Sequence, residues 1–442
     1  MKKFKIKQVS IFTFTIFSFA YYVWLRIQHI AQIRSPRDFF DTYEYLEIAS
    51  RPLSSIAFWV ASRPPVTPLF FKLLGGDFER IMYFQLWISI ISWGILGMVL
   101  AIIVQNYWLK IFAFIFILAF SLTQNVILWD ALILSDSLSL SLLALFLASS
   151  FLLINKWSIW RFIALVIVST MMAFIRDTYA FFFLMAGGML IFSLFLTVRR
   201  TPIFLVSGTF FILFVVVNIF SGIGMRWYMP LMMTMGLRIL PNPEYVAYFE
   251  KRGMPVYPEL MERAGKPIQA DDGAMYYDPD LEEFRRWVRA NGYREFTRFL
   301  WFFKSDTFQN PLRDLDQIFN PDVYYYAATG YRPIIKDQRM GELIYPFRFG
   351  LVASLFANAF AFFLLFPAIR YRAAKWAIPL VMILLSYPQA VLVWNADAND
   401  IARHSIYHVI MLRLGFWLLV LFLIDHLPVL INPLFGRKIS HA

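Results

Sequence analysis

The chain contains no cysteine. A disulfide framework and a thiolate metal site are therefore excluded. Charge is scarce as well: only 16% of the 442 residues are Asp, Glu, Lys or Arg, against about a quarter in a soluble domain. There is no P-loop and no GxGxxG stretch, so nothing points to a nucleotide-driven motor or a nucleotide cofactor. Internal repeats and low-complexity tracts are also missing.

What fills the chain instead is apolar. Hydrophobic residues make up 60% of it and aromatic residues 19%. A long chain of this composition is expected to be an integral membrane protein. The basic start MKKFKIK leads into an apolar run from Val9 to about Ile27. Ser18-Phe19-Ala20 faintly resembles a cleavage site, but the apolar run continues through Tyr21, Val23, Trp24 and Leu25. The segment reads as a retained first transmembrane helix, not a cleaved leader.

Ten segments are long enough to cross about 30 Å of hydrocarbon. They run over 9–28, 81–104, 110–128, 135–154, 159–175, 178–197, 203–221, 346–367, 376–394 and 406–426. Their connections alternate in charge. One side carries Lys2, Lys3, Lys5, Lys7, Lys110, Lys156, Arg161, Arg199, Arg200, Arg370, Arg372, Lys375, Arg437 and Lys438, with only Asp425 nearby. The positive-inside rule makes that side cytoplasmic and puts both termini there. The net charge of +12 is then mostly an orientation signal. Because the basic residues are scattered over short turns, they are not a nucleic-acid footprint.

The expected fold is thus an α-helical polytopic membrane protein with about ten transmembrane helices and an extracytoplasmic, mainly α domain. Residues 1–221 form a seven-span module with a first external loop at 31–80. Residues 222–345 form the soluble domain, where charged residues, Gly and Pro rise to soluble-domain frequencies. Residues 346–442 form a three-span end. Within 222–345 a helix is expected to start at Asp278-Pro279, with Asp278 as N-cap and Pro279 at the first helical position. Leu281, Phe284, Val288, Phe296, Phe299, Leu300 and Phe303 then give it an apolar face. Its end, FTRFLWFFKS, is aromatic enough to lie on a membrane surface.

The first external loop concentrates acids: DFFDTYEYLEIAS, Asp38–Ser50, holds Asp38, Asp41, Glu44 and Glu47. Two readings compete. In one, the acids serve a helix that starts with Ser35 as N-cap and Pro36 at N1, with a capping-box-like spacing from Asp41 to Glu44, and the rest are a solvated face. In the other, Asp41, Glu44, Tyr45 and Ile48 share a helix face and offer a carboxylate at the membrane surface. Such a carboxylate can serve as a general base for a substrate whose lipid tail stays in the bilayer.

DTYEYLEIA (Asp41–Ala49) resembles the Asp-x-x-x-Tyr-x-x-x-Ala pattern in the first external loop of C-type (GT-C) glycosyltransferases. RPPVTPLFFKLLG (Arg63–Gly75) is similar to the Arg-x-Pro-x-Tyr-Pro-Leu-Leu stretch that follows it, with Thr67 in place of Tyr. LILSDSLSLSLLAL (Leu132–Leu145) is similar to the acid-Ser-Leu helix start after the second external loop, with Asp136 at the acid position. NDIARHSIYHVIMLRLG (Asn399–Gly415) is similar to a late Arg-Tyr segment, with His404 in place of Tyr and no following Pro. The resemblance covers the membrane portion, about two-thirds of the chain.

It implies a transferase at the extracytoplasmic face of the bacterial cytoplasmic (inner) membrane. The donor would be a polyprenyl-phosphate sugar, and the acceptor a hydroxyl of a lipid, glycan or protein. Membrane lipids are expected partners; nucleic acid is not. Such a reaction passes through an oxocarbenium-like transition state and needs a base for the acceptor proton. Asp41 is the first choice and Asp38 the second. The leaving phosphate needs charge stabilisation, for which Arg176, Arg403, His404 and Arg63 are candidates. Asp136, and less directly Asp130, would position the acceptor or share a divalent cation with Asp41; the sequence commits to no metal. Each has a structural alternative: Arg176 and Asp177 as a snorkelling turn, Arg403 and His404 as a polar turn, Asp136 as a helix cap. Tyr43, Tyr45 and Trp129 suit sugar stacking or an interfacial belt.

Other functions predict other features. A lipid-linked-sugar transporter or flippase should show charges or broken helices near the bilayer midplane, whereas ionisable residues here read as lying at span ends. An O-antigen polymerase or ligase-like enzyme would use Arg403 and His404 but leave the first-loop aspartate unexplained. A scaffold would need no convergence of Asp41, Asp136 and Arg403.

Overall fold

The computed structural model describes residues 2–193, 200–346 and 374–431. All but the first residue of the expected span 346–367, the end of the span 178–197, and Arg199, Arg370, Arg372, Arg437 and Lys438 lie outside the described residues. Among the described residues the architecture is helical throughout. Its only β pairing is an isolated parallel bridge between Arg37 and Leu132.

Five described helices are long and apolar enough to cross a membrane: Phe78–Ile103, Asp136–Asn155, Thr201–Ile223, Ala377–Ala396 and Ile401–Asp425. At 1.5 Å per residue the 20-residue members reach about 30 Å, the hydrocarbon thickness of a bilayer. These helices match five expected spans and are consistent with a membrane protein. The span expected at 110–128 is a broken one, in which Tyr107–Ser121 and Gln124–Ala131 meet at 59°. Ile159–Ala173 and Thr178–Phe192 are apolar but shorter, and the first expected span lies within the helix Lys2–Ile30.

Polar residues hold the ends of these helices. Asp77 accepts from the Arg80 amide at 2.9 Å, and Asn106 accepts from the Trp108 amide at 3.0 Å, each satisfying a first-turn donor. At that same helix end Asp425 accepts from the Gln105 and Asn106 amides and pairs with Lys375 at 3.1 Å.

Apolar packing divides into two main cores. The larger joins the membrane helices and also takes in Ile318, Phe319, Tyr326, Tyr331 and Tyr345. The buried members of the second all lie between Tyr228 and Phe299. The segment expected as one domain at 222–345 therefore has its own core only over its first part. Its later part is sewn to the membrane helices by Arg413, which donates to Phe319 O at 2.6 Å, Asn320 Oδ1 at 2.9 Å and Pro346 O at 2.9 Å. Arg413 and the fully buried His408 sit well inside the helix Ile401–Ile431. The expectation that ionisable residues stay at span ends fails for both; for Arg413 a folded-back segment supplies carbonyl partners that local sequence does not reveal.

Asp278 does cap a helical run, accepting from the Asp280 amide at 3.0 Å with Pro279 in the first turn. The run is interrupted by a π-helical turn over Val288–Gly292 before continuing as Tyr293–Phe302. Leu281, Phe284, Val288 and Phe299 are buried as expected, while Trp301 and Phe302 are exposed.

The helix Arg200–Ile223 ends against the first loop. A Cβ on Gly224 would stand 2.4 Å from Ala61 O and 2.5 Å from Val60 O, so only glycine allows the approach. Met225 follows in the left-handed region at φ 49°, and Arg226 then donates to Ala61 O at 2.9 Å and Trp59 O at 3.2 Å.

Candidate functional site

The first-loop helix is Phe40–Ser50, not a helix begun at Ser35. Residues before it are drawn out straight, because Arg37 pairs across to the broken span: Arg37 N donates to Ala131 O and Ile133 N to Arg37 O, both at 2.9 Å. The start of the helix is tied by Thr42, whose hydroxyl accepts from the Phe39 amide at 3.0 Å and donates to Ile133 O at 2.7 Å. The acids are thereby released from capping.

Asp41 lies at the centre of a charged cluster. Its Oδ1 accepts from Arg63 Nη2 at 2.6 Å and its Oδ2 from Arg403 Nη2 at 2.6 Å. The second contact closes 362 positions of chain. Burial pushes the Asp41 carboxyl up, but the guanidiniums of Arg403 and Arg63 outweigh it and hold the group well below the usual carboxylate range,. Glu44, expected to cap or solvate the helix, instead accepts from Arg63 Nε at 2.5 Å. Arg63 is thus shared by two carboxylates one helical turn apart. Glu47 does face solvent, paired with Arg51 at 2.8 Å.

A second pair stands beside this cluster. Asp136 is the first residue of its helix, and its Oδ1 accepts from Arg176 Nη2 at 2.5 Å. Ser135 links the two groups, with its hydroxyl 3.4 Å from Arg176 Nε and 3.3 Å from Tyr45 OH. The other Asp136 oxygen, Oδ2, is buried with no hydrogen-bond partner among the described residues. A third pair is Asp177 with Arg226 at 2.9 Å, and Ser221 also donates to Asp177 at 2.9 Å. Burial pushes the Asp177 carboxyl up against the opposing pull of Arg226. His404 Nε2 lies 3.4 Å from Asp397 Oδ2.

The pairs made by Asp41, Asp136, Asp177 and His404 border one cavity of about 540 Å³. Asp41, Arg63, Asp136, Arg176, Arg403 and His404, each singled out in the sequence, line it together with Asp177, Arg226 and Asp397. The four lining arginines and four lining aspartates balance in charge. Away from the charges the wall is apolar: Phe181 and Val217 from two apolar helices, Leu392 and Val393 from another, and Trp227, Phe296 and Leu300 from the neighbouring core. A single chamber therefore joins cations, carboxylates and an apolar flank.

Asp38 and Asp130 are elsewhere. Asp38 accepts from Tyr43 OH outside the cavity lining. Asp130 is fully enclosed, with Arg26 at 2.5 Å, Ser137 at 2.7 Å and Arg26 bonded in turn to Ser89 at 2.6 Å and Ser121 O at 2.9 Å. It secures the first helix to the broken span and does not line the chamber. Among the described residues no group of three or more His, Asp or Glu comes together as a cation site, and Asp41 and Asp136 each face an arginine.

Glu44, Asp177 and Arg226 join the site without having been expected there. For Arg226 a signal exists, since it follows an apolar span as Arg176 does. For Asp177 and Glu44 the partners are set only by packing. No protein-family model matches the chain, and no curated protein shows significant similarity to it.

Proposed function

We propose that the protein is a membrane glycosyltransferase of the GT-C type, with about ten spans, cytoplasmic termini and a catalytic cavity on the extracytoplasmic face. It transfers a sugar from a polyprenyl-phosphate donor to an acceptor hydroxyl. The observation that carries the reading is the meeting of Asp41, Arg63, Asp136, Arg176, Arg403 and His404 around one chamber with an apolar flank. Donors of this class have a charged head, a sugar and a long tail, and this combination of walls suits all three.

In the proposed reaction the acceptor oxygen bonds to the anomeric carbon as the bond from that carbon to the phosphate oxygen breaks. The electron pair leaves with the phosphate, and the acceptor proton passes to Asp41. Arg63 and Arg403 stabilise the charge that grows on the leaving group. Asp136, steadied by Arg176, positions the acceptor beside Asp41. A transporter reading gains buried charge inside a span from Arg413, but that guanidinium is engaged by carbonyls of the 319–346 segment.

The test is a reconstituted transfer assay with a panel of polyprenyl-phosphate sugars. Wild type should transfer at least one sugar, and Asp41→Asn should lose at least about a hundredfold, the lower range for general-base removal, while remaining folded. Full activity in Asp41→Asn removes the base assignment. No turnover with any donor removes the reading.

A further inference from the structure

The two arginines to which the proposed reaction gives the leaving phosphate are already taken. Arg63 and Arg403 each place one Nη2 on one oxygen of Asp41, both at 2.6 Å. The carboxylate thus spans two guanidiniums as two oxygens of a phosphate would. Further cations are near, but each has its own partner: Arg176 is on Asp136 and Arg226 on Asp177. With lining charges balanced, an incoming anion finds no uncommitted guanidinium among the described residues of the cavity.

We infer that Asp41 is a stand-in for the donor phosphate, and that arrival of the phosphate draws Arg63 and Arg403 off this carboxylate and thereby frees it to accept a proton. This inference rests on the transferase reading. It resolves a conflict in that reading, since a carboxylate clamped on both oxygens is a poor base.

Charge bookkeeping supports the exchange. The bound donor is a phosphodiester with one negative charge, and the leaving polyprenyl phosphate is a monoester with nearly two. Asp41 begins with one negative charge and ends neutral once it has the acceptor proton. As negative charge moves from Asp41 to the phosphate, the arginines follow it, and the total in the cavity is unchanged. Asp41 is also surrounded by Glu44 and Tyr45 on its own helix, by His404 beside Arg403, and by Asp136 and Arg176 across Ser135. Glu44 keeps one contact to Arg63 through Nε, so that arginine can turn its Nη2 without leaving its place.

The experiment measures binding to purified protein in detergent, using two probes: inorganic phosphate and a short-chain prenyl monophosphate. Removing the competing charge in Asp41→Asn should tighten binding by at least about tenfold, the effect expected when a paired like charge is removed. Asp41→Glu, which keeps the charge, should not tighten it, and Arg403→Gln should weaken it. Tightening for the prenyl probe alone assigns the site to a lipid head group; tightening for both assigns it to phosphate as such. Infrared difference spectra of the wild type, which need no variant, should show an arginine-bound carboxylate released when the probe is added. Equal or weaker binding by folded Asp41→Asn, or an unchanged carboxylate band, overturns the exchange while leaving the phosphate site intact. Failure of every form to bind either probe overturns the transferase reading with it.

Discussion

Single residues divide here by what a second group does to them. Asp41, Asp130 and Asp38 are equal in chemistry and unequal in surroundings. Asp130 and Arg26 are both buried, so removing one partner strands the other charge. Asp130→Ala should cost about 3–5 kcal/mol, read as a large drop in thermal unfolding temperature, whereas Asp38→Ala should be near neutral in the same measurement. Asp41 behaves differently with pH. Because its carboxyl is held below its ordinary range, its ionised form stabilises the fold above the ordinary carboxylate pKa. That contribution fades as pH falls through about 4 toward the lower folded value. The difference in unfolding temperature between wild type and Asp41→Asn should therefore be constant from pH 7 to 5 and shrink below about pH 4.

Elements decide how these residues meet. The first-loop helix brings Asp41 to the chamber, the helix starting at Asp136 brings that aspartate, and the helix starting at Ile401 brings Arg403 and His404, each from near a helix end. Helix ends are where a polar group can stand without crossing the bilayer's apolar interior. The contact of Gly224 with the Val60 and Ala61 carbonyls fastens the loop that carries Arg63. Gly224→Ala should push that loop away and break the Arg226 contacts to Trp59 and Ala61. Limited proteolysis should then cut between Leu53 and Ser62 markedly faster than in wild type, with the membrane helices still protected.

At the scale of the whole molecule the proposed orientation can be tested directly, because the chain has no cysteine to remove. Ser54 and Lys156 are both exposed and fall on opposite sides in the proposed topology. Ser54→Cys should react with a membrane-impermeant maleimide on intact cells, and Lys156→Cys only after permeabilisation. Labelling of both from outside removes the proposed topology.

Much of this was legible in the sequence because it depends on local composition. An apolar run of 20 residues declares a span wherever it falls, and Asp278-Pro279 starts a helix through its own side chain and ring. Asp136 and Arg403 were legible as candidates because each stands at the edge of such a run, and Asp41 and Arg63 because they fall in first-loop stretches that resemble the GT-C pattern. Their pairing was not. That Arg403 reaches Asp41 across 362 positions, that Arg63 also holds Glu44, and that Arg26 consumes Asp130 depend on which helices lie side by side. Hydropathy leaves that open, since any apolar helix can pack on any other. Segment lengths and charge bias came from the sequence alone. Which charges meet, and which are left for a ligand to claim, was decided by helix packing.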